Sequence, residues 1–69
     1  MIKLFGTGCE MCRILEERLQ EAKIQYIKEK DITEIKKNGF RSVPVIKDEQ
    51  GKYYNFSESM MKIVRGEWL

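Results

Sequence analysis

The spacing of hydrophobic and polar positions changes several times along this chain, and each change marks an element. "IKLF" (Ile2 to Phe5) is a short apolar-leaning run closed by Gly6 and Gly8, which predicts a strand followed by a loop. From Met11 to Ala22 the spacing becomes helical. Cys12, Leu15, Leu19 and Ala22 fall three or four apart on one stripe, and Glu16, Glu17, Arg18 and Glu21 occupy the other face. "IQYIKE" (Ile24 to Glu29) carries β-branched and aromatic residues and predicts a second strand that returns parallel to the first. Asp31 and Glu34 have capping-box spacing and, with Ile32, Ile35 and a terminating Gly39, predict a helix of about two turns.

The second half predicts a hairpin and a last helix. In "SVPVIKDEQGKYYNF" a strand from Val43 to Lys47, a turn from Asp48 to Gly51 and a strand from Lys52 to Phe56 follow one another. Pro44 has no N–H for a ladder, so it belongs at an edge or a strand entry. Ser57 is the expected cap of a helix running to about Arg65, with Met60, Met61, Val64 and Trp68 on or near one face and Gly66 as its stop. The order βαβαββα describes one α/β domain spanning residues 1–69, a four-stranded mixed sheet flanked by helices. No linker, repeat or low-complexity segment interrupts it.

Composition narrows the chemistry. The formal charge is only +2, and the 35% of residues that are charged are spread along the chain. The lysines of "IKEKDITEIKK" alternate with Glu29, Asp31 and Glu34, a solvated surface with none of the basic face that nucleic acid requires. Histidine is absent, which removes imidazole as acid, base or metal ligand. "MIKLFGTG" has neither a basic leader nor a long apolar stretch, and no run approaches the roughly 18 apolar residues that span a bilayer. A soluble cytoplasmic protein with no membrane partner is the expectation, built on a core near the lower size limit for folding unaided.

What remains is "GTGCEMC", which holds the only two cysteines, Cys9 and Cys12. A structural disulfide closing so short a loop removes little unfolded-state entropy and is out of place in a reducing compartment. A tetrahedral zinc site takes four protein ligands, so two thiols without histidine would need a second chain. A Cys-x-x-Cys beside a βαβ pattern fits a redox dithiol best. Cys9 falls in a glycine-loosened loop where the free N–H groups of the first helix point, a setting that favours the thiolate, although the Glu10 carboxylate next to it works in the opposite direction. Cys12 falls on the buried stripe. An accessible sulfur attacks a disulfide, and a second one turn away resolves the mixed disulfide.

"KLFGTGCEMCRILEERL" followed by "GFRSVPVI" resembles the glutaredoxin branch of the thioredoxin fold, including the small redoxins that reduce ribonucleotide reductase. The likeness covers essentially the whole chain and is most specific at Cys9-Glu10-Met11-Cys12 and at Val43-Pro44. It implies a minimal thioredoxin fold in which the Val43-Pro44 bond is cis and Pro44 lies against the cysteine pair, with the Val43 backbone free to meet an extended substrate. It further implies catalysis by Cys9 and Cys12 and a partner surface shaped by Thr7, Gly8, Met11, Val43 and Pro44, with Phe56 and Ser57 at its far edge. No bound cofactor or metal is expected. Reducing equivalents would come from thioredoxin reductase or glutathione, and the substrate would be a protein disulfide, with ribonucleotide reductase among the candidates, met by a monomer. Three departures bear on the reductant. Glutaredoxins carry Pro-Tyr between the cysteines, a lysine three residues before the first, and a Gly-Gly-x-Asp-like turn before the last helix. Here Glu10-Met11, Gly6 and Asn55-Phe56-Ser57-Glu58 stand there, which weighs toward a protein reductase over glutathione. Three other readings stay open: a glutathione-dependent glutaredoxin working by monothiol chemistry, an iron-sulfur or metal carrier using Cys9 in a dimer, and a redox-inert binding module.

Overall fold

A computed structural model describes residues 1–68. Its elements are β1 (Ile2–Phe5), α1 (Glu10–Glu21), β2 (Tyr26–Glu29), α2 (Thr33–Lys37), β3 (Val45–Lys47), β4 (Tyr53–Tyr54) and α3 (Phe56–Val64). The strands form one mixed sheet in the order β2-β1-β3-β4, with β1 parallel to β2 and antiparallel to β3, and β3 antiparallel to β4. This is the α/β, βαβαββα layout of a minimal thioredoxin-like fold. Among the described residues no helix is long and apolar enough to cross a membrane.

Strand alternation sorts the core into two layers. Ile2 and Leu4 of β1 and Ile46 of β3 point to one face, where Leu15 and Leu19 of α1 meet them, with Phe56, Met60 and Ile63 of α3 packed alongside. Phe5 and Val45 point to the other face and close over Ile35 of α2. Leu15, Leu19, Val45 and Ile46 are fully buried, and each such side chain contributes about 1.5–3 kcal/mol of transfer free energy. The central strand β1 is thus covered on both faces and paired on both edges, and its C-terminal end is a rigid base for the residues that follow.

Several boundaries and caps differ from the sequence expectation. β2 begins at Tyr26, because Ile24 is buried in the first core layer ahead of the ladder. α2 spans only Thr33–Lys37, and its N-cap Ile32 makes no side-chain hydrogen bond. The expected capping box is absent. Asp31 accepts from the N–H and hydroxyl of Thr33, whereas the Glu34 carboxylate accepts from Lys47 Nζ at 2.7 Å and from the Tyr53 hydroxyl, both on the hairpin. The last helix is capped by Asn55, not Ser57. Asn55 accepts from Glu58 N at 2.8 Å and its own N–H donates to the Glu58 carboxylate at 3.1 Å, a reciprocal box that also ends β4 at Tyr54. Helical phase then turns Phe56, Ser59, Met60 and Ile63 inward. Met61 and Val64, expected near the apolar face, are exposed.

Candidate active site

Register brings the site together. Phe5 pairs with Val45 across the antiparallel β1/β3 ladder, so continuing the two chains in opposite directions sets Pro44 beside Gly6 and Val43 beside Thr7. The Val43-Pro44 peptide is cis. Pro44 is buried, Val43 half-buried, and Thr7 and Gly8 exposed. Gly8 has φ +82°, a left-handed conformation that glycine adopts freely, and it turns the chain from β1 into α1.

Cys9 is the N-cap of α1. Its extended backbone (φ −67°, ψ 170°) leaves its Sγ to accept the Cys12 N–H at 3.3 Å, so a sulfur does what a serine or aspartate oxygen does at most helix starts. The Cys12 Sγ lies 2.7 Å from the Cys9 Sγ. Both are free thiols, with Cys9 half-buried and Cys12 1% exposed. The two titrate in opposite directions. Cys9 is held below the usual thiol range, first by the hydrogen bond from the Cys12 side chain and then by backbone N–H groups at the helix start, against the opposing pull of partial burial. Cys12 is pushed up, first by burial and then by sharing its hydrogen with Cys9. Cys9 is therefore the sulfur that ionises first, and across their 2.7 Å contact either thiol can donate. The net sign at Cys9 is downward even with Glu10 in the first turn of the helix.

Gly6 leaves room for the Cys12 sulfur. A Cβ built on Gly6 would stand 2.9 Å from the Cys12 Sγ and 3.3 Å from its Cβ. The bare Cα of Gly6, fixed by its N–H to the Glu29 carbonyl at 3.1 Å, is what lets the buried sulfur tuck against the end of β1. Sequence inspection marks Gly6 as the close of the first strand and as the position where the resembling family carries a lysine. Its contact with Cys12 joins two elements that the chain pattern does not relate.

An apolar groove of about 170 Å³ lies between Thr7, Val43 and the α2 region and is lined also by Ile32, Ile35 and Phe40. The exposed cations Lys36 and Arg41 also line it. Of the residues expected at the partner surface, Thr7, Gly8, Met11, Val43 and Pro44 surround the cysteine pair or adjoin it in chain and register, and Met11 is 44% exposed. Phe56 and Ser57 do not line the groove. Phe56 packs under α3 on the opposite core layer, and Ser57 is exposed in the first turn of that helix. The sequence does not bring Lys36, Phe40 and Arg41 together, because a groove between a short helix and a proline loop leaves no periodic trace.

Among the described residues no cluster of three or more Cys, Asp or Glu side chains is arranged to hold a metal ion. The two sulfurs supply half of a tetrahedral thiolate set. Wider hollows of about 500 and 610 Å³ flank Trp68, but the carboxylates around them are already engaged. Asp48 accepts from Tyr54 and from the turn N–H groups, Glu67 from Lys62, and Glu49 from the N-terminal amine. Comparison with protein-family models, curated proteins and solved structures finds no match to this chain.

Proposed function

We propose that this protein is a thiol-disulfide oxidoreductase of the glutaredoxin-like kind that reduces protein disulfides through Cys9 and Cys12. The observation that carries the proposal is the asymmetric pair itself: a half-exposed sulfur at a helix N-cap, lowered in pKa, touching a buried thiol raised in pKa. The Cys9 thiolate attacks one sulfur of a substrate disulfide, a Cys9–substrate S–S bond forms, and the other substrate sulfur leaves as a thiolate. With Cys9 now neutral, Cys12 loses its proton to solvent or to a leaving thiolate and attacks the Cys9 Sγ. The substrate's second sulfur departs, and two electrons have passed from the dithiol to the substrate. The sulfurs start 2.7 Å apart, so closing to a disulfide length of about 2.05 Å moves them by less than an ångström.

The chemistry carries its own electrons, so no resident cofactor is needed, and a cytoplasmic reductase or glutathione would restore the dithiol. The stand-in of Gly6 for a cation before the active site favours a protein reductase, and ribonucleotide reductase is one candidate substrate among protein disulfides. The test is reduction of insulin disulfides coupled in turn to thioredoxin reductase with NADPH and to glutathione with its reductase. Wild type turns over. Cys9→Ser is inactive, and Cys12→Ser accumulates a mixed disulfide with substrate. Equal, slow alkylation of the two cysteines at neutral pH, with no turnover from either electron source, refutes the proposal.

A further inference from the structure

β2 is the longer edge of the sheet, four residues against the two of β4, and among the described residues no strand lies beyond it. Its backbone points two ways. Gly6 N–H donates to the Glu29 carbonyl at 3.1 Å, and Phe5 pairs with Glu29 and Lys3 with Ile27. The N–H and C=O groups of Ile27 and Glu29 therefore turn to β1, and those of Tyr26 and Lys28 turn outward. Side chains alternate across the strand: Tyr26 packs against the core layer under α1, and Ile27, on the other face, is 48% exposed. A lysine on an edge strand ordinarily discourages pairing. Lys28, however, lies 3.4 Å from the Glu16 carboxylate, which also accepts from the Tyr26 hydroxyl at 2.8 Å. This row of cation, carboxylate and tyrosine tells one register of an added strand from another. Two copies joined antiparallel about a two-fold axis bring residues of the same face opposite each other. With Lys28 on the axis, like charges meet. With Tyr26 on the axis, Lys28 falls opposite Ile24, whose N–H is already given to the Leu19 carbonyl. With Ile27 on the axis, Tyr26 falls opposite the partner's Lys28, and these are the residues whose backbone groups point outward.

We propose that β2 is a self-association edge on which two copies of this chain join antiparallel, with Ile27 on the two-fold axis, into one continuous sheet. Tyr26 and Lys28 exchange N–H···O=C hydrogen bonds with the partner's Lys28 and Tyr26. Ile27 packs on the partner's Ile27, and each Lys28 ammonium comes over the partner's Tyr26 ring. The two Cys9 sulfurs lie at opposite ends of the joined sheet, because the two copies of β1 run antiparallel. The junction does not depend on the redox chemistry, and it stands against the monomer that the family resemblance implies. An edge this short buries well under about 1,200 Å², the range of weak interfaces, so the dimer forms at high concentration.

The wild-type protein, fully reduced, is brought to sedimentation equilibrium at about 10 µM and about 1 mM, concentrations that bracket weak association. The apparent mass rises from one chain toward two, and a mass of one chain at both concentrations overturns the proposal. Ile27→Glu sets a carboxylate opposite Lys3 of β1, which the fold accommodates, but brings like charges together on the axis. This variant stays at one chain. Association as strong as that of the wild type overturns the junction. Cross-linking then reads the register. In a Cys9→Ser/Cys12→Ser background, where serine still serves as the cap of α1, one cysteine is introduced at a time. At Ile27→Cys the sulfur meets its own copy across a non-hydrogen-bonded pair, with Cα atoms about 4.5 Å apart and within disulfide reach. At Gln25→Cys, equally exposed, the sulfur stands opposite the partner's Glu29 and about 14 Å along the strand from its copy, out of reach. Mild oxidation at about 1 mM joins Ile27→Cys about tenfold faster or more, the advantage of held proximity. Equal rates at the two positions, as chance collision gives, overturn the register and with it the proposal.

Discussion

Gly6→Ala is the most informative single change, because it adds one methyl group at a point where the structure leaves no room for it. The new Cβ would sit 2.9 Å from the Cys12 sulfur and 3.3 Å from its Cβ. Ordinary contact between such atoms is about 3.5–4.0 Å, so the sulfur must yield by roughly 0.6–1 Å. β1 cannot retreat, since Gly6 donates to Glu29 and Phe5 is locked opposite Val45. Overpacking of this kind costs about 1–3 kcal/mol. Gly6 is not among the positive-φ residues, so alanine suits the backbone and the stiffer unfolded chain returns about 0.4–1 kcal/mol. The net loss is about 0–2.6 kcal/mol, a fall of up to about 2.6 M in the urea midpoint for a denaturant slope near 1 kcal/mol/M. A displaced Cys12 also gives up the hydrogen bond that does most to lower the Cys9 pKa, and each unit of upward shift leaves about tenfold less thiolate at neutral pH. Urea unfolding of the reduced protein and the pH profile of Cys9 alkylation, read by peptide mapping, measure the two effects. In a Cys12→Ala background most of the clash is gone, and the same substitution should become nearly neutral, which shows up as coupling in a double-mutant cycle. An unchanged midpoint together with an unchanged alkylation profile refutes the claim that the bare Cα of Gly6 makes room for the Cys12 sulfur.

Three further outcomes are expected. The lowered pKa of Cys9 means that its ionisation favours the folded state; that contribution is fully present above the unfolded thiol value of about 8.5 and is lost as pH falls through the folded value. The reduced protein should therefore gain stability as pH rises through the window just below 8.5, and Cys9→Ser should lose the gain in a urea-midpoint series. Asn55→Ala removes the acceptor for Glu58 N and opens the reciprocal cap, lowering stability by about 1 kcal/mol in the same assay. Leu15→Ala empties a fully buried position under α1 and should cost about 2–5 kcal/mol, much of the roughly 3–10 kcal/mol that a chain of this length has in total.

The elements legible in the sequence are those whose evidence is local. β1 and α1 follow from strand and helix spacing, and the position of Cys9 at a helix start follows from the glycines ahead of it. The failures share one cause. Asp31 and Glu34 have capping spacing, but Glu34 has Lys47 and Tyr53 from a distant hairpin within reach, and a charged partner outcompetes a cap. The Asn55–Glu58 box was equally visible in the chain. Taking Phe56 as the end of a strand hid it, and that two-residue shift rotated the expected apolar face of α3 toward Met61 and Val64. The cysteine pair could be found from spacing alone, whereas the groove and the Gly6 contact exist only once β1, α1 and the Val43-Pro44 loop converge.

That convergence ties the chemistry to the core. A slip of one residue between β1 and β3 would turn Val45 and Ile46 to the wrong layers, exchanging the partners of Leu15 and Ile35, which is why burial on both faces fixes the register. The same register sets Val43 opposite Thr7 and Pro44 opposite Gly6. Cys12 belongs to both systems at once: as part of the buried stripe of α1 it is held by packing, and its hydrogen bond with Cys9 does most to lower that thiol's pKa. Loosening the core beneath it should therefore raise the Cys9 titration as well as lower stability. A small domain with little core to spare thus holds Cys12, the buried partner of Cys9, by the same packing that stabilises α1.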